Sequence, residues 1–178
     1  LTRPMLRIHK KFLCLFVLML SSMQVSAFEI DGSRWPTGEI EFYVALDGTA
    51  ASGISWNAAF IAAMNDWNNQ TSFNFILREQ YRDPCLSDGL NSVDFSDSFC
   101  GSEFGKNTLA VTVQSFKSAI LGGPIITESD IIIDQKNEYN VYDGRLLQSG
   151  RQGLDLRRIA LHELGHVIGL DHEPSSMA

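Results

Sequence analysis

Three histidines and one glutamate lie in a single short window near the end of the chain, in the segment HELGHVIGLDH. His162 and His166 are four residues apart, so on a helix both imidazoles can point from one face toward a common ion. Gly169 can adopt a left-handed conformation and end that helix, which lets His172 approach the same ion from outside it. Three imidazole ligands with an open fourth position are typical of a catalytic zinc site.

Glu163 directly follows the first of these histidines and therefore projects beside the metal-facing side of the helix. Zinc lowers the pKa of a bound water to about 7. Glu163 would take the proton of that water during attack on a carbonyl and pass it to the leaving amine. Two alternatives are a chance match on an amphipathic helix and a structural zinc site, although structural sites usually include cysteine ligands.

The window matches the pattern HExxHxxGxxH, so the chain resembles the metzincin metallopeptidases. The segments RWPTGEIEFYV, NDWN, SDIIID and NVYDG are most similar to a bacterial matrixin-like peptidase. The resemblance implies that His162, His166 and His172 are zinc ligands and that Glu163 is the general base. It also implies a methionine turn below the metal, for which Met177 is the candidate.

The resemblance further implies a mixed α/β fold, with a twisted mixed β-sheet, two long helices and a cleft between an edge strand and the zinc helix. Matrixins continue past the methionine turn to form the far wall of the S1′ pocket. We therefore expect the C-terminal subdomain to be short or truncated, and the catalytic domain to be incomplete at Ala178.

Residues 1–27 have the composition of a secretory signal peptide. Basic residues at the start precede an apolar run at positions 12–20, and Ala27 ends a small-residue cleavage site. The run is too short to span a bilayer as a stable helix, although an uncleaved anchor is the alternative. We expect cleavage after Ala27, secretion to an extracellular or periplasmic space, and one catalytic domain at residues 28–178.

The charge of the chain narrows the classes of partner. The signal segment holds four of the fourteen basic residues and none of the twenty-one acidic ones, so its removal leaves a formal charge of −11. Such a charge disfavours nucleic acid and anionic membranes as partners. We expect a monomer that acts on a protein or peptide substrate, without a membrane partner after removal of the signal.

Cys85 and Cys100 are the two cysteines that follow the signal segment. Two cysteines in a secreted chain usually pair, so we expect a disulfide across the loop-like stretch between them. The alternative is a thiolate that binds the zinc and keeps an enzyme latent. Calcium is also possible, since carboxylates such as Asp88, Asp94 and Asp134 are available, but no calcium loop is recognised and no site is placed.

Periodicity predicts helices at residues 55–70 and 156–168, with Ser55 and Asp155 as their N-caps. Strands are predicted at residues 39–46, 73–77, 108–113 and 130–134, and a long loop separates the second from the third. Residues 119–127 are apolar but contain two glycines and a proline, which suit an irregular edge strand or a connecting hairpin. This segment, or the end of the strand before it, is the candidate for holding an extended substrate.

The sequence therefore predicts a secreted zinc-dependent endopeptidase. The alternative is a non-catalytic secreted zinc-binding module derived from such a peptidase, and a third possibility is a zinc hydrolase that acts on small amides. Glu163 favours an enzyme, because a module that only binds zinc has no need of a base at that position.

Overall fold

The computed structural model describes residues 28–30, 32–142 and 153–172. Ala27, the segment before it, and Met177 lie outside these residues. The strands are β1 (Phe28–Ile30), β2 (Glu39–Val44), β3 (Asn74–Arg78), β4 (Asn91–Ser96), β5 (Ala110–Lys117), β6 (Ile125–Asp134), β7 (Tyr139–Asn140), β8 (Leu154–Asp155) and β9 (Leu170–His172). The helices are α1 (Trp56–Gln70) and α2 (Leu156–Val167).

Five strands form a mixed sheet in the order β3-β2-β4-β6-β5. The first four run parallel to one another, and β5 pairs antiparallel with β6 at the edge. Helix α1 provides the crossover between the parallel strands β2 and β3, as such connections require. The mixed α/β architecture predicted from the sequence is therefore confirmed.

The two helices pack on one face of the sheet around a shared apolar core. Strand β2 alternates between exposed and buried positions, which places Ile40, Phe42 and Val44 against the helices. Strand β6 adds Ile131 and Ile133 to the same core. The core side chains with no exposed surface are Phe42, Val44, Phe60, Ala63, Ile131, Ile133, Leu156, Ala160, Leu164 and Val167.

Helix α1 begins as its sequence predicts. The Ser55 hydroxyl accepts a hydrogen bond from the Ala58 amide at 3.1 Å, which satisfies one of the free donors of the first turn. Helix α2 begins differently. The Asp155 side chain makes no cap hydrogen bond and instead accepts one from Nε of Arg158, one turn further along the helix, at 2.9 Å.

The prediction of a long loop between the second and third predicted strands is wrong in one respect. This segment contains strand β4, which lies at the centre of the five-stranded sheet. The segment NSVDFS is short and mostly polar, so its composition resembles that of a loop. In the sheet, Val93 and Phe95 pack against the core, while Ser92 bonds to the carboxylate of Asp130 on the next strand. Partners supplied by neighbouring strands thus stabilise a strand that its own residues barely indicate.

Strands β5 and β6 also differ from the prediction. Strand β5 extends to Lys117, and β6 runs without interruption from Ile125 to Asp134, joining two segments that were predicted separately. Residues 118–124 form the connection between them, as the glycines and the proline suit. Of the two candidates for the edge strand, the strand preceding this segment is the one at the edge of the five-stranded sheet.

Cys85 and Cys100 form a disulfide, with their Cα atoms 5.1 Å apart. The bond closes a loop that contains β4, and neither cysteine belongs to the segment HELGHVIGLDH. Within the described part of the chain, no helix combines the length and apolarity needed to cross a membrane.

Candidate metal centre and active-site cleft

Helix α2 ends at Val167, one residue after its second histidine, and this ending positions the third. Gly169 adopts a left-handed conformation with φ of 94°, and its amide donates to the carbonyl of His166 at 2.9 Å. A residue with a Cβ atom rarely takes this conformation, so glycine allows the chain to reverse here. Strand β9 follows directly and carries His172 back toward the helix.

The three imidazoles meet at their Nε2 atoms. The distance between Nε2 of His162 and of His172 is 2.9 Å, between His162 and His166 3.1 Å, and between His166 and His172 3.3 Å. Three nitrogens bound to one tetrahedral zinc at 2.0–2.1 Å would lie about 3.3 Å apart. The donor set and its spacing therefore fit a single zinc ion.

The second nitrogen of His166 fixes the tautomer of that ring. Its Nδ1 lies 2.7 Å from the carbonyl oxygen of Leu170, which can only accept a hydrogen bond. Nδ1 must carry the proton, so the lone pair of Nε2 faces the other imidazoles. Burial, together with the charges of His166 and His172, lowers the pKa of His162, which favours the neutral form that binds metal.

Glu163 lies beside the histidines and is only 7% exposed. Its carboxylate accepts a hydrogen bond from the hydroxyl of Thr112 on strand β5 at 2.7 Å. Burial raises the pKa of Glu163, while the hydrogen bond from Thr112 and the histidine charges oppose that rise. Glu163 is thus a largely desolvated carboxyl group beside the three histidines, a position from which it can transfer a proton.

Two cavities flank this carboxylate and share the residues Ala110, Glu163 and His172. One, of about 340 Å³, extends along Thr112 and Gln114 toward Leu170 and Asp171. The other, of about 470 Å³, has a more apolar lining and extends along residues 107–110 to the first turns of α2. Together they form a cleft between the edge strand and the zinc helix.

Two tryptophans and a glutamine hold the zinc helix by its backbone carbonyls. Nε1 of Trp67, on α1, donates to the carbonyl of Leu161 at 2.9 Å, and Nε1 of Trp35 donates to Val167 at 2.7 Å. Nε2 of Gln114, on β5, donates to the carbonyl of His166 at 2.9 Å. Nothing in the local sequence around Trp67 indicates this polar contact, because its partner Leu161 lies 94 positions away in the chain.

The sequence-predicted residues thus fall into three groups. His162, Glu163, His166 and His172 come together at the cleft, and Cys85 and Cys100 are joined elsewhere. Met177 lies outside the described residues. Thr112 and Gln114 were missed, because contacts between residues about 50 positions apart leave no local pattern.

Comparison with known proteins agrees with this geometry. The matrixin family model matches residues 34–178. Metalloendoproteinase 2-MMP of Arabidopsis thaliana is 26% identical over 141 residues, which cover 78% of this chain and 34% of the plant protein. The chain thus spans about a third of the length of that relative. Since the family match covers most of the chain and includes the three histidines and Glu163, the chain belongs to the matrixin family.

Proposed function

We propose that this protein is a secreted zinc-dependent endopeptidase that hydrolyses peptide bonds in extended segments of protein substrates. Membership of the matrixin family supports a metallopeptidase that uses zinc. The observation that carries the proposal is the convergence of three Nε2 atoms within 3.3 Å of one another beside a buried glutamate in an open cleft. The signal-like segment and the disulfide support secretion.

His162, His166 and His172 would hold the zinc through their Nε2 atoms. When bound, the metal would act as a Lewis acid toward the substrate carbonyl and the attacking water. Three protein ligands leave room for these groups, which a structural site with four protein ligands would not.

Glu163 is the proton carrier in this proposal. Its carboxylate takes a proton from the water as the water oxygen attacks the carbonyl carbon. It then gives that proton to the amine nitrogen as the C–N bond breaks, so the products are a carboxylate and an amine. Glu163 lines both cavities, and in this proposal the cavities would take the substrate residues on the two sides of the bond to be cleaved.

The edge strand β5 would hold the substrate backbone. It pairs with β6 along one side, and its residues 110–112 and 114 line the cleft on the other. An extended peptide can add to such an edge through main-chain hydrogen bonds. A cleft of this shape favours a polypeptide over a small amide as substrate.

The test compares the parent with Glu163→Gln, and uses Glu103→Gln, the same change at an exposed position, as a control. We expect Glu163→Gln to bind one equivalent of zinc, measured by atomic emission, because all three histidines are retained. Its cleavage of an unfolded protein should fall by about 10²–10⁴-fold or more. Glu103→Gln should match the parent.

Each alternative predicts a different result. A parent that binds zinc but cleaves neither unfolded protein nor small amides would support the non-catalytic module, and cleavage of small amides alone would support the third possibility. Glu163→Gln as active as the parent would refute the proposed mechanism. Secretion is tested separately, by N-terminal sequencing of exported protein, which should begin at Phe28.

A further inference from the structure

The hydroxyl of Thr112 reaches the proposed general base from a different element of the fold. Its Oγ1 lies 2.7 Å from Oε2 of Glu163 and 3.4 Å from the backbone carbonyl oxygen of the same residue. A hydroxyl has a single proton, so the shorter contact, to the charged oxygen, is the one in which it donates. The distance is that of a charge-assisted hydrogen bond.

The position of Thr112 is fixed by the sheet. It lies opposite Ile131, a residue of β6 with no exposed surface, in the regular part of the β5–β6 pairing. Two residues further along β5, the Gln114 side chain bonds to the backbone of α2 at His166. Side chains two apart on a strand face the same way, so β5 contacts the zinc helix at two successive points.

The two contacts have different targets. Gln114 bonds to a main-chain carbonyl and so fixes the position of the helix, whereas Thr112 bonds to the side chain that would transfer the proton. A glutamate has three rotatable side-chain torsions, and an unrestrained carboxylate would sample several orientations in the cleft. The bond engages one carboxylate oxygen, which leaves the other able to face the reacting groups.

We infer that Thr112 is a positioning residue that holds the carboxylate of Glu163 in the orientation needed for proton transfer. This inference rests on the proposed peptidase function. A misplaced catalytic group lowers the rate of the chemical step far more than it lowers affinity for substrate. Loss of the hydroxyl should therefore lower kcat and leave KM nearly unchanged.

The kinetic test uses three variants of the full-length, zinc-loaded protein. Thr112→Val keeps the shape of the side chain and removes the donor, while Thr112→Ser keeps the donor. Thr127→Val is the matched control, because it removes an exposed hydroxyl that bonds to the carbonyl of Ser115 on the same pair of strands. We expect kcat to fall about 10- to 100-fold in Thr112→Val, with KM within about twofold of the parent.

Thr112→Ser should recover most of the parent's kcat, and Thr127→Val should equal the parent. Zinc content and far-ultraviolet circular dichroism should be the same for all four proteins, which excludes loss of metal or fold as the cause. A raised KM with unchanged kcat in Thr112→Val would overturn the inference and show a direct substrate contact. An unchanged kcat, or a Thr112→Ser protein as slow as Thr112→Val, would also overturn it.

A second measurement does not depend on activity. Crystal structures of the metal-free parent, Thr112→Ser and Thr112→Val proteins should show one conformer of Glu163 in the first two and several, or a displaced one, in the third. A single, unmoved conformer in Thr112→Val would overturn the inference. If the parent proves inactive, the proposed function fails, and this structural comparison still decides whether the hydroxyl orders Glu163.

Discussion

Replacement of Asp130 by asparagine should change how the stability of the protein depends on pH. Asp130 lies on β6, on the sheet face opposite the helices, and is only 4% exposed. Its Oδ1 accepts hydrogen bonds from the amide and the hydroxyl of Ser92 at 2.9 and 2.8 Å. Burial, opposed by these bonds and assisted by the charges of Glu128 and Asp88, raises the pKa of Asp130 from 3.8 to about 7.

The sign of the effect follows from linkage. Between about pH 4 and pH 7 the unfolded chain has already lost this proton while the folded protein retains it. The contribution of Asp130 to the free energy of unfolding therefore falls as pH rises through that window and is smallest above pH 7. A pKa raised by about three units corresponds to roughly 4 kcal/mol over the whole window.

Asp130→Asn removes the titration and keeps an oxygen able to accept both bonds from Ser92. We expect the free energy of unfolding of the variant, relative to the parent, to rise by about 2–4 kcal/mol between pH 4 and pH 8. Urea denaturation of both proteins across this range measures the two free energies of unfolding. Taking their difference cancels the contributions of the other titrating groups. Asp97→Asn, the same change at an exposed position, is the control. A relative change below about 1 kcal/mol, or a change of opposite sign, would refute the reasoning.

Two further predictions concern stability. Replacing both Cys85 and Cys100 by alanine, or reducing the bond between them, should lower the free energy of unfolding by about 3 kcal/mol, because the bridge closes a loop of 15 residues. An unchanged midpoint of urea denaturation would contradict this prediction. Ser55→Ala should lower the free energy of unfolding by about 1 kcal/mol, because the bond from the Ala58 amide is lost. In thermal unfolding its midpoint should fall below that of the control Ser118→Ala, a change at an exposed position that should be neutral.

The convergence of the histidines could be predicted from the sequence because it depends on local geometry. Two of them share a face of one helix, and a single glycine, Gly169, turns the third back within six residues of the second. Each step follows from helical periodicity and from the conformational freedom of glycine. No contact between distant parts of the chain is needed to foresee that the three imidazoles can meet.

Strand β4 could not be predicted in the same way, because its polar residues are satisfied by distant partners. Asn91 donates to the carbonyl of Glu41 and accepts from the amide of Ser129, while Ser92 bonds to Asp130. Asparagine, serine and aspartate usually indicate loops, since they compete for backbone hydrogen bonds. Here the neighbouring strands supply those bonds, so a sequence typical of a loop forms an inner strand of the sheet.

The framework around the site explains why a motif of eleven residues needs a domain of this size. A helix of twelve residues is barely stable alone, so packing must hold α2 in place. Trp67 and Trp35 bond to its carbonyls from α1 and from the segment before β2, and Gln114 does so from β5. These contacts approach the helix from three separate elements and leave the histidine side open to the cleft. The motif determines which atoms can bind a metal, and the tertiary contacts determine where those atoms lie relative to β5.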